Sequence, residues 1–210
     1  MEQKNLSDTM ANSHPKQAQP DRKILDVFKK RWSPRAFSDK MVEKDTLLRL
    51  FEAARWAPSS FNEQPWNFIV ANKNQEKPYQ KILDSLAEFN QSWAKTAPVL
   101  AVSITKDHFS KNNKPNVYSV HDVGLAMGNL LTQATDLGVY VHQMAGFDKN
   151  KFTDSFSIPN EFSPVAAMAI GYLGDPAQLP ENLQEAETQE RSRKPVEEFV
   201  YAGEWKKPII

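Results

Sequence analysis

Cysteine is absent from the 210-residue sequence, and glycine is scarce, with seven in the whole chain. Without cysteine the protein has no disulfide framework, no thiolate metal site and no cysteine nucleophile. The glycines form neither Gly-x-Gly-x-x-Gly nor Gly-x-x-x-x-Gly-Lys-Ser, so the two common glycine-rich phosphate cradles are not encoded. If the chain binds a phosphate, side-chain cations must therefore hold it.

Histidine is also sparse, and none of the four histidines has the spacing of metal ligands. Gly-x-Ser-x-Gly is missing too, which disfavours a serine hydrolase. The 26 basic residues balance the 26 acidic ones, so bulk charge does not favour binding to nucleic acid or to a membrane surface. No apolar run approaches the roughly 18 residues of a membrane span, and the N-terminus lacks the apolar core of a signal peptide. We therefore expect a cytoplasmic protein.

Composition changes near residue 22. Residues 1–22 are polar with almost no apolar periodicity, and such a segment buries too little surface to offset its ordering entropy. Apolar periodicity begins after this point and continues through the rest of the chain. We therefore predict a disordered N-terminal lead-in, followed by a single domain over residues 23–210.

The clearest helix of this domain spans residues 118–137, where apolar residues repeat at steps of three and four. Gly124 and Gly128 lie inside it and weaken it by roughly 1 kcal/mol each relative to alanine. Close approach of another backbone would explain them, so we suspect a subunit interface. Further helices are predicted near residues 43–54 and 77–89, and strands at 66–71, 97–104, 139–143 and 165–172.

Two clusters of cations are candidates for anion binding. Arg31 and Arg35 lie near the start of the domain, and Arg191, Arg193 and Lys194 lie near its end, each cluster interleaved with serine and proline. Arginine forks and a serine hydroxyl are suitable donors to the three oxygens of a phosphate monoester. The alternative, which composition alone favours, is that these side chains lie on solvated faces.

The most specific segment is 58–66, with the sequence Pro-Ser-Ser-Phe-Asn-Glu-Gln-Pro-Trp. Its two prolines stiffen a stretch of short hydrogen-bonding side chains, which suits a fixed recognition loop for a planar heteroaromatic group. Considered alone, the segment is equally well explained as an ordinary turn between a helix and a strand.

Three motifs together resemble the FMN-dependent nitroreductase family. Residues 31–37, Arg-Trp-Ser-Pro-Arg-Ala-Phe, are similar to its Arg-x-Ser-x-Arg-x-Phe opening, and residues 58–66 are similar to its Pro-Ser-Ser-x-Asn-x-Gln-Pro-Trp loop. Residues 191–193, Arg-Ser-Arg, resemble its closing basic motif. The motifs occur in the family order, and the resemblance covers about residues 24–203.

The resemblance implies an α+β fold: an α/β/α sandwich with a mixed central sheet flanked by helices, assembled as an intertwined homodimer with two FMN molecules at the interface. The opening and closing segments would hold the ribityl phosphate, and the 58–66 loop would approach the flavin from the partner subunit. Ala145 and Gly146 resemble the segment whose backbone amides face flavin N5, and Asn90 matches a ring contact loosely. The cofactor-binding residues so implied are Arg31, Trp32, Ser33, Arg35, Pro58, Ser59, Ser60, Asn62, Gln64, Asn90, Ala145, Gly146, Arg191 and Arg193.

The same resemblance implies an oxidoreductase. NADPH or NADH would deliver a hydride to flavin N5 and leave before a small acceptor such as a nitroaromatic, a quinone or an enone takes its place, so no side chain need act as a nucleophile. Two alternatives remain open: a family member with another flavin reaction, such as dehalogenation or flavin fragmentation, and a flavin-binding protein without useful turnover.

Overall fold

A computed structural model of the protein describes residues 16–209, which form helices on both sides of one four-stranded sheet. No helix within this part of the chain is long and apolar enough to cross a membrane. The helices are α1 (Asp26–Lys30), α2 (Lys44–Arg55), α3 (Glu76–Ser85), α4 (Glu88–Ala94), α5 (Ser119–Asp136), α6 (Lys149–Phe156) and α7 (Glu181–Thr188). The strands are β1 (Trp66–Asn72), β2 (Val99–Lys106), β3 (Tyr140–Met144) and β4 (Phe162–Gly171).

The strand order is β1-β2-β4-β3, and all three pairings are antiparallel. The α+β class is therefore confirmed, but the mixed sheet that we expected is an antiparallel one within residues 16–209. The connections explain this correction. Two helices separate β1 from β2, and the chain returns to the sheet at the end where it left, so that Asn72 pairs with Val99. A parallel pair would need the chain to cross back to the opposite end of the sheet.

Alternate residues of the central strands enter two separate cores. On β2, Leu100 and Val102 belong to a core with residues of α3, α4, α6 and α7, whereas Val99 and Ala101 belong to a core with residues of α2 and α5. The sheet is therefore buried on both faces between two helical layers, which confirms the three-layer sandwich. Burial on both faces also explains why β2 is a continuous apolar run.

Most element boundaries lie close to the predicted ones, and α5 differs by one residue at each end. The single helix predicted at residues 77–89 is instead divided into α3 and α4. The chain turns between them because Leu86 forms a bridge with Phe147, and Ala87 N–H donates to the Gly146 carbonyl at 2.9 Å. A long-range pairing thus overrides a pattern that is locally helical.

Residues 16–22 belong to the predicted lead-in and lie against the two ends of the domain. Ala18 N–H donates to the Lys29 carbonyl at 2.9 Å, and Lys16 Nζ donates to the Ala186 carbonyl at 3.0 Å. Residues 1–15 lie outside the described residues. The division at residue 22 therefore stays a prediction.

Candidate functional site

The arginine segment, residues 31–37, follows α1 and packs against β3 and the end of β4. The buried Trp32 ring meets the Tyr140 ring edge to face, with 6.1 Å between centroids. At the other end of the segment, the buried Phe37 forms a bridge with Leu173. The segment is therefore anchored at both ends, which fixes where its polar side chains lie.

A buried carboxylate from α7 holds the centre of this segment. Glu187 Oε1 accepts the backbone N–H groups of Arg35 at 2.8 Å and Ala36 at 3.0 Å. The residue is only 3% exposed, and Oε2 has no hydrogen-bond partner among residues 16–209. Burial of a carboxylate is costly unless it is hydrogen-bonded, so the two bonds fix α7 against the arginine segment.

His142 on β3 supports the same segment from the sheet. Its Nδ1–H donates to the Pro34 carbonyl at 2.9 Å, and its ring packs on Trp93 with 4.6 Å between centroids. Burial lowers the pKa of His142 to about 4, and the charges of Arg35 and Arg31 act in the same direction. The imidazole is therefore neutral near pH 7, and its single proton is the one donated to Pro34.

The polar side chains of this region line a cavity of about 200 Å³, which we call the anion cavity. Among residues 16–209, none of its arginines lies within ion-pair distance of a carboxylate. Arg35 Nε is buried and has no hydrogen-bond partner in the same part of the chain. The lining residues are Lys16, Arg31, Trp32, Ser33, Arg35, Ala186, Glu187, Arg191 and Arg193.

The guanidinium groups repel one another across the anion cavity. Burial lowers the pKa of Arg31, and the charge of Arg193 lowers it further. Burial likewise lowers the pKa of Arg191, and the charges of Arg31 and Arg193 add to that effect. Three cations thus share a space without paired carboxylates, and a bound anion would stabilise this arrangement.

The two arginines of the closing motif make different contacts. Arg191 Nη1 donates to the Lys29 carbonyl at 2.7 Å and to the Lys16 carbonyl at 3.0 Å, so it joins α1 to the N-terminal segment. Arg193 is exposed and donates to the carbonyl of its own neighbour, Ser192, at 2.6 Å. Arg191 therefore also has a structural role, whereas Arg193 has none that extends beyond its own segment.

A larger cavity of about 590 Å³ adjoins the anion cavity and shares Arg31, Arg191 and Arg193 with it. Its remaining walls come from residues 18–28 and 192–199. Both ends of the described chain therefore border the arginine cluster.

The 58–66 loop contains one turn of 3₁₀-helix, Ser60–Asn62, before β1. Phe61, Asn62 and Gln64 have φ angles of 52°, 55° and 53°. This left-handed region is strained for Phe and Gln and is tolerated better by Asn. Strained backbone is concentrated at binding and catalytic sites, so the geometry favours a recognition loop over an ordinary turn.

Side chains fix the loop in this conformation. Asp122 Oδ2, buried in the first turn of α5, accepts the Ser60 N–H at 3.0 Å, and Ser59 Oγ accepts the Gln64 N–H at 3.0 Å. The loop borders a cavity of about 280 Å³ beside α5. That cavity is lined by Pro58, Ser59, Ser60, Tyr118, His121, Asp122 and Leu125.

Asn90 and Gly146, both predicted to contact the flavin ring, lie against each other. Asn90 Nδ2 donates to the Gly146 carbonyl at 2.9 Å, and a Cβ on Gly146 would lie only 2.8 Å from that amide nitrogen. Ala145 and Gly146 directly follow β3 and line a cavity of about 470 Å³. Because Ala145 is three residues beyond His142, extended chain of about 10 Å separates this segment from the arginine segment.

The predicted site residues thus form three groups in one chain. Arg31, Trp32, Ser33, Arg35, Arg191 and Arg193 line the anion cavity. Asn90, Ala145 and Gly146 lie beyond the far end of β3. Pro58, Ser59 and Ser60 line a different cavity, beside α5, whereas Asn62 and Gln64 of the same loop do not line it.

Four residues that shape these groups are not among those predicted from the sequence: Lys16, Asp122, His142 and Glu187. His142 is one of four scattered histidines and has no local signal. Glu187 has a weak signal, since it lies four residues after the buried Leu183 and thus on the buried face of α7.

Comparisons with known proteins identify the family and the fold. The profile described as the nitroreductase family matches residues 28–172. A solved structure described as an oxidoreductase containing FMN has a TM-score of 0.85 and 36% identity, and the match covers 94% of this chain and 100% of that one.

Two further relatives are more distant. A provisionally named NADH dehydrogenase/NAD(P)H nitroreductase of Methanothermobacter thermautotrophicus is 29% identical over 163 residues, which are 75% of this chain and 79% of the relative. A nitroreductase family protein of Streptococcus pneumoniae shows the same fold, with a TM-score of 0.69 and 24% identity over 84% of this chain and 98% of its own. Because the family profile spans more than half of the sequence, the resemblance predicted from three short motifs is confirmed, and the chain belongs to the nitroreductase family of oxidoreductases.

Proposed function

We propose that this protein is an FMN-dependent NAD(P)H oxidoreductase that reduces nitroaromatics, quinones or related small acceptors. The observation that carries the proposal is the anion cavity, in which arginines from the two ends of the domain meet without carboxylate partners among residues 16–209. The expected cytoplasmic location and the boundary of the domain at residue 23 are parts of the same proposal.

The residues present fit the phosphate end of FMN. A phosphate monoester carries about −1.5 to −2 charges near pH 7 and offers three oxygens. Arg31 and Arg193 have guanidinium groups that repel each other, and the buried Arg35 Nε lacks a partner within the described chain. Ser33 Oγ lies 3.3 Å from Arg31 Nη1, so the hydroxyl can add a neutral donor. A dianion would relieve the repulsion and complete these hydrogen bonds.

We assign the ring end to the segment that follows β3. Ala145 and Gly146 are exposed, and the missing Cβ of Gly146 lets the Asn90 amide lie close beside the backbone. The exposed backbone at this point is open to a ligand. Backbone N–H groups aimed at a flavin ring stabilise negative charge as it develops there.

We also propose that the 58–66 loop reaches the flavin from the partner subunit of a homodimer. Phe61 is 90% exposed in a strained conformation, an unfavourable combination unless another surface covers it. α5 beside the loop has an open face: among residues 16–209, no atom outside the helix's own backbone and the neighbouring residues lies within 4 Å of a Cβ built on Gly124 or Gly128. Large apolar side chains are exposed on and just before this helix, namely Val117, Tyr118, Val120 and Leu125.

When bound, FMN supplies the redox chemistry, hydride acceptance and donation at N5. The roles of the chain are to hold the phosphate, to orient the ring and to exclude water from the interface. Donor and acceptor would use the same face of the site in turn, which predicts ping-pong kinetics. The same residues would also bind FMN in a family member that catalyses another flavin reaction. The acceptor assay described below distinguishes these two functions.

The test is FMN binding followed by reduction. Protein reconstituted with FMN is expected to remain yellow after desalting, to bleach with NADPH or NADH under argon, and to regain its colour when a quinone or nitroaromatic is added. Arg31→Ala is expected to weaken FMN binding about tenfold to a hundredfold, since a charge-assisted hydrogen bond contributes roughly 1.5–3 kcal/mol.

Arg49→Ala is the matched control, because Arg49 is exposed on α2, outside the anion cavity. A colourless protein that FMN cannot reconstitute would overturn the proposal. A yellow protein that neither NADPH nor NADH reduces would instead support the alternative of a flavin-binding protein without useful turnover.

A further inference from the structure

The N-terminal segment, residues 16–19, closes one side of the anion cavity. Its hydrogen bonds reach three different parts of the domain: Lys16 Nζ donates to the Ala186 carbonyl, the Lys16 carbonyl accepts from Arg191 Nη1, and Ala18 N–H donates to the Lys29 carbonyl. Four residues are thus fixed between α1 and α7. The Lys16 side chain lines the anion cavity together with Arg31, Ser33 and Arg35.

We propose that Lys16 is an additional ligand for the phosphate of the cofactor, supplied by a segment that precedes the residues matched by the family profile. The family profile begins at residue 28, and the arginine motif begins at residue 31, so neither accounts for a cation at position 16. This inference rests on the proposed function, because the anion in question is the phosphate monoester of FMN.

The ammonium group has the capacity for this role. An ammonium has three N–H donors, and Lys16 Nζ uses one of them on the Ala186 carbonyl at 3.0 Å. The side chain is only partly buried and lies 4.9 Å from the centre of the Trp32 ring, which limits its directions. Burial lowers the pKa of Lys16, the Glu187 carboxylate opposes this shift, and the charges of Arg191 and Arg35 add to it.

A purely structural role would have Lys16 neutralise Glu187. The geometry disfavours that role, because no ion pair within 4.0 Å joins these two residues. The carboxylate is instead held by the backbone N–H groups of Arg35 and Ala36. Glu187 therefore acts on Lys16 only at longer range, and one carboxylate beside Lys16 and four arginines leaves an excess of positive charge that an anionic ligand would balance.

The experiment compares FMN with riboflavin, which has the same ring and ribityl chain but no phosphate. Dissociation constants for both flavins are measured on the full-length apoprotein by quenching of flavin fluorescence, for wild type, Lys16→Met, Lys16→Arg and Lys23→Met. Lys23 is the matched control, since it is exposed, lies between this segment and α1, and does not line the anion cavity.

Lys16→Met is expected to weaken FMN binding about tenfold and to leave riboflavin binding unchanged, the loss typical of one charge-assisted contact. Lys16→Arg is expected to retain most of the FMN affinity, and Lys23→Met all of it. Inorganic phosphate is expected to compete with FMN less well for Lys16→Met than for wild type.

Equal weakening of FMN and riboflavin by Lys16→Met would overturn the inference, since it would indicate a structural effect. Unchanged FMN binding would overturn it too. In both cases the proposed function would stand as long as wild type binds FMN and Arg31→Ala binds it about tenfold to a hundredfold more weakly. Failure of wild type to bind FMN at all would instead remove the proposed function, and the inference with it.

Discussion

His142 joins β3 to the arginine segment through its hydrogen bond to the Pro34 carbonyl, and burial keeps its ring neutral. An unfolded histidine has a pKa near 6.5, whereas burial lowers the pKa of His142 to about 4 in the folded protein. Between these two values the unfolded chain binds more protons than the folded one, so acidification favours unfolding. The stabilisation from the neutral ring is complete above about pH 6.5 and is lost as the pH falls toward 4.

We therefore predict that His142→Asn makes the free energy of unfolding less dependent on pH in this range. An amide nitrogen can keep the hydrogen bond to Pro34 and does not titrate here. Urea unfolding at pH 7 and at pH 4.5 measures the free energy of unfolding of each protein. Wild type is expected to lose about 2–3 kcal/mol more than the variant over this interval. Equal losses of unfolding free energy in the two proteins would contradict the assignment of a buried neutral imidazole. The carboxylates are common to both proteins, so their contributions cancel in the comparison.

Single residues differ in how far the sequence predicts them. Arg31 and Arg191 belong to short motifs, so they are predictable without knowledge of the fold. Glu187 and His142 act on the same segment through partners 152 and 108 residues away in sequence. A contact at that separation leaves no local pattern, and it becomes visible only when the sheet and α7 are in place.

α5 is the element that decides whether the 58–66 loop can meet a second chain. Its buried face packs in the core with α2, its first turn supplies Asp122 to the loop, and its opposite face is open at Gly124 and Gly128. Two glycines on an exposed apolar face destabilise a helix by about 1 kcal/mol each relative to alanine. Close packing of another helix on that face would offset this cost.

We predict that Gly124→Leu prevents formation of the proposed dimer while leaving the fold of each chain intact, because its Cβ has room in the single chain but would meet a partner helix. Sedimentation velocity is expected to show monomers with unchanged far-ultraviolet circular dichroism and little bound FMN. Gln80→Leu adds the same side chain at an exposed position of α3 and is expected to remain dimeric. A Gly124→Leu protein that is still dimeric with full FMN would place the interface elsewhere.

Elements with long apolar repeats are predictable from the sequence, and α5 and β2 lie within one or two residues of their expected ends. The break between α3 and α4 is not, because it depends on Leu86 and Ala87 pairing with residues 146 and 147. α7 also escapes prediction, since it buries only Leu183 and Glu187 and its other residues, apart from Ala186, are charged or polar. The limits of sequence analysis here are tertiary contacts and short elements.

The whole molecule presents its three groups of site residues as separate surfaces. The arginine segment and the residues after β3 share one side of β3, while the 58–66 loop borders a cavity beside α5. One chain therefore holds the two halves of the proposed flavin site apart, and a two-fold dimer would bring each half to its counterpart on the partner chain. We propose that Arg31 of one chain and Asn62 of the other bind the same FMN.

Complementation between two variants tests that claim most directly. Arg31→Ala and Asn62→Ala homodimers each have two damaged sites, whereas a mixed dimer has one intact site and one doubly damaged site. The variants are co-expressed with different tags, the heterodimer is purified through both tags, and bound FMN is measured by equilibrium dialysis. We expect the heterodimer to bind about one FMN with the wild-type dissociation constant. Each homodimer is expected to bind FMN about tenfold to a hundredfold more weakly. A heterodimer that binds FMN no better than the two homodimers would show that Arg31 and Asn62 do not meet across an interface.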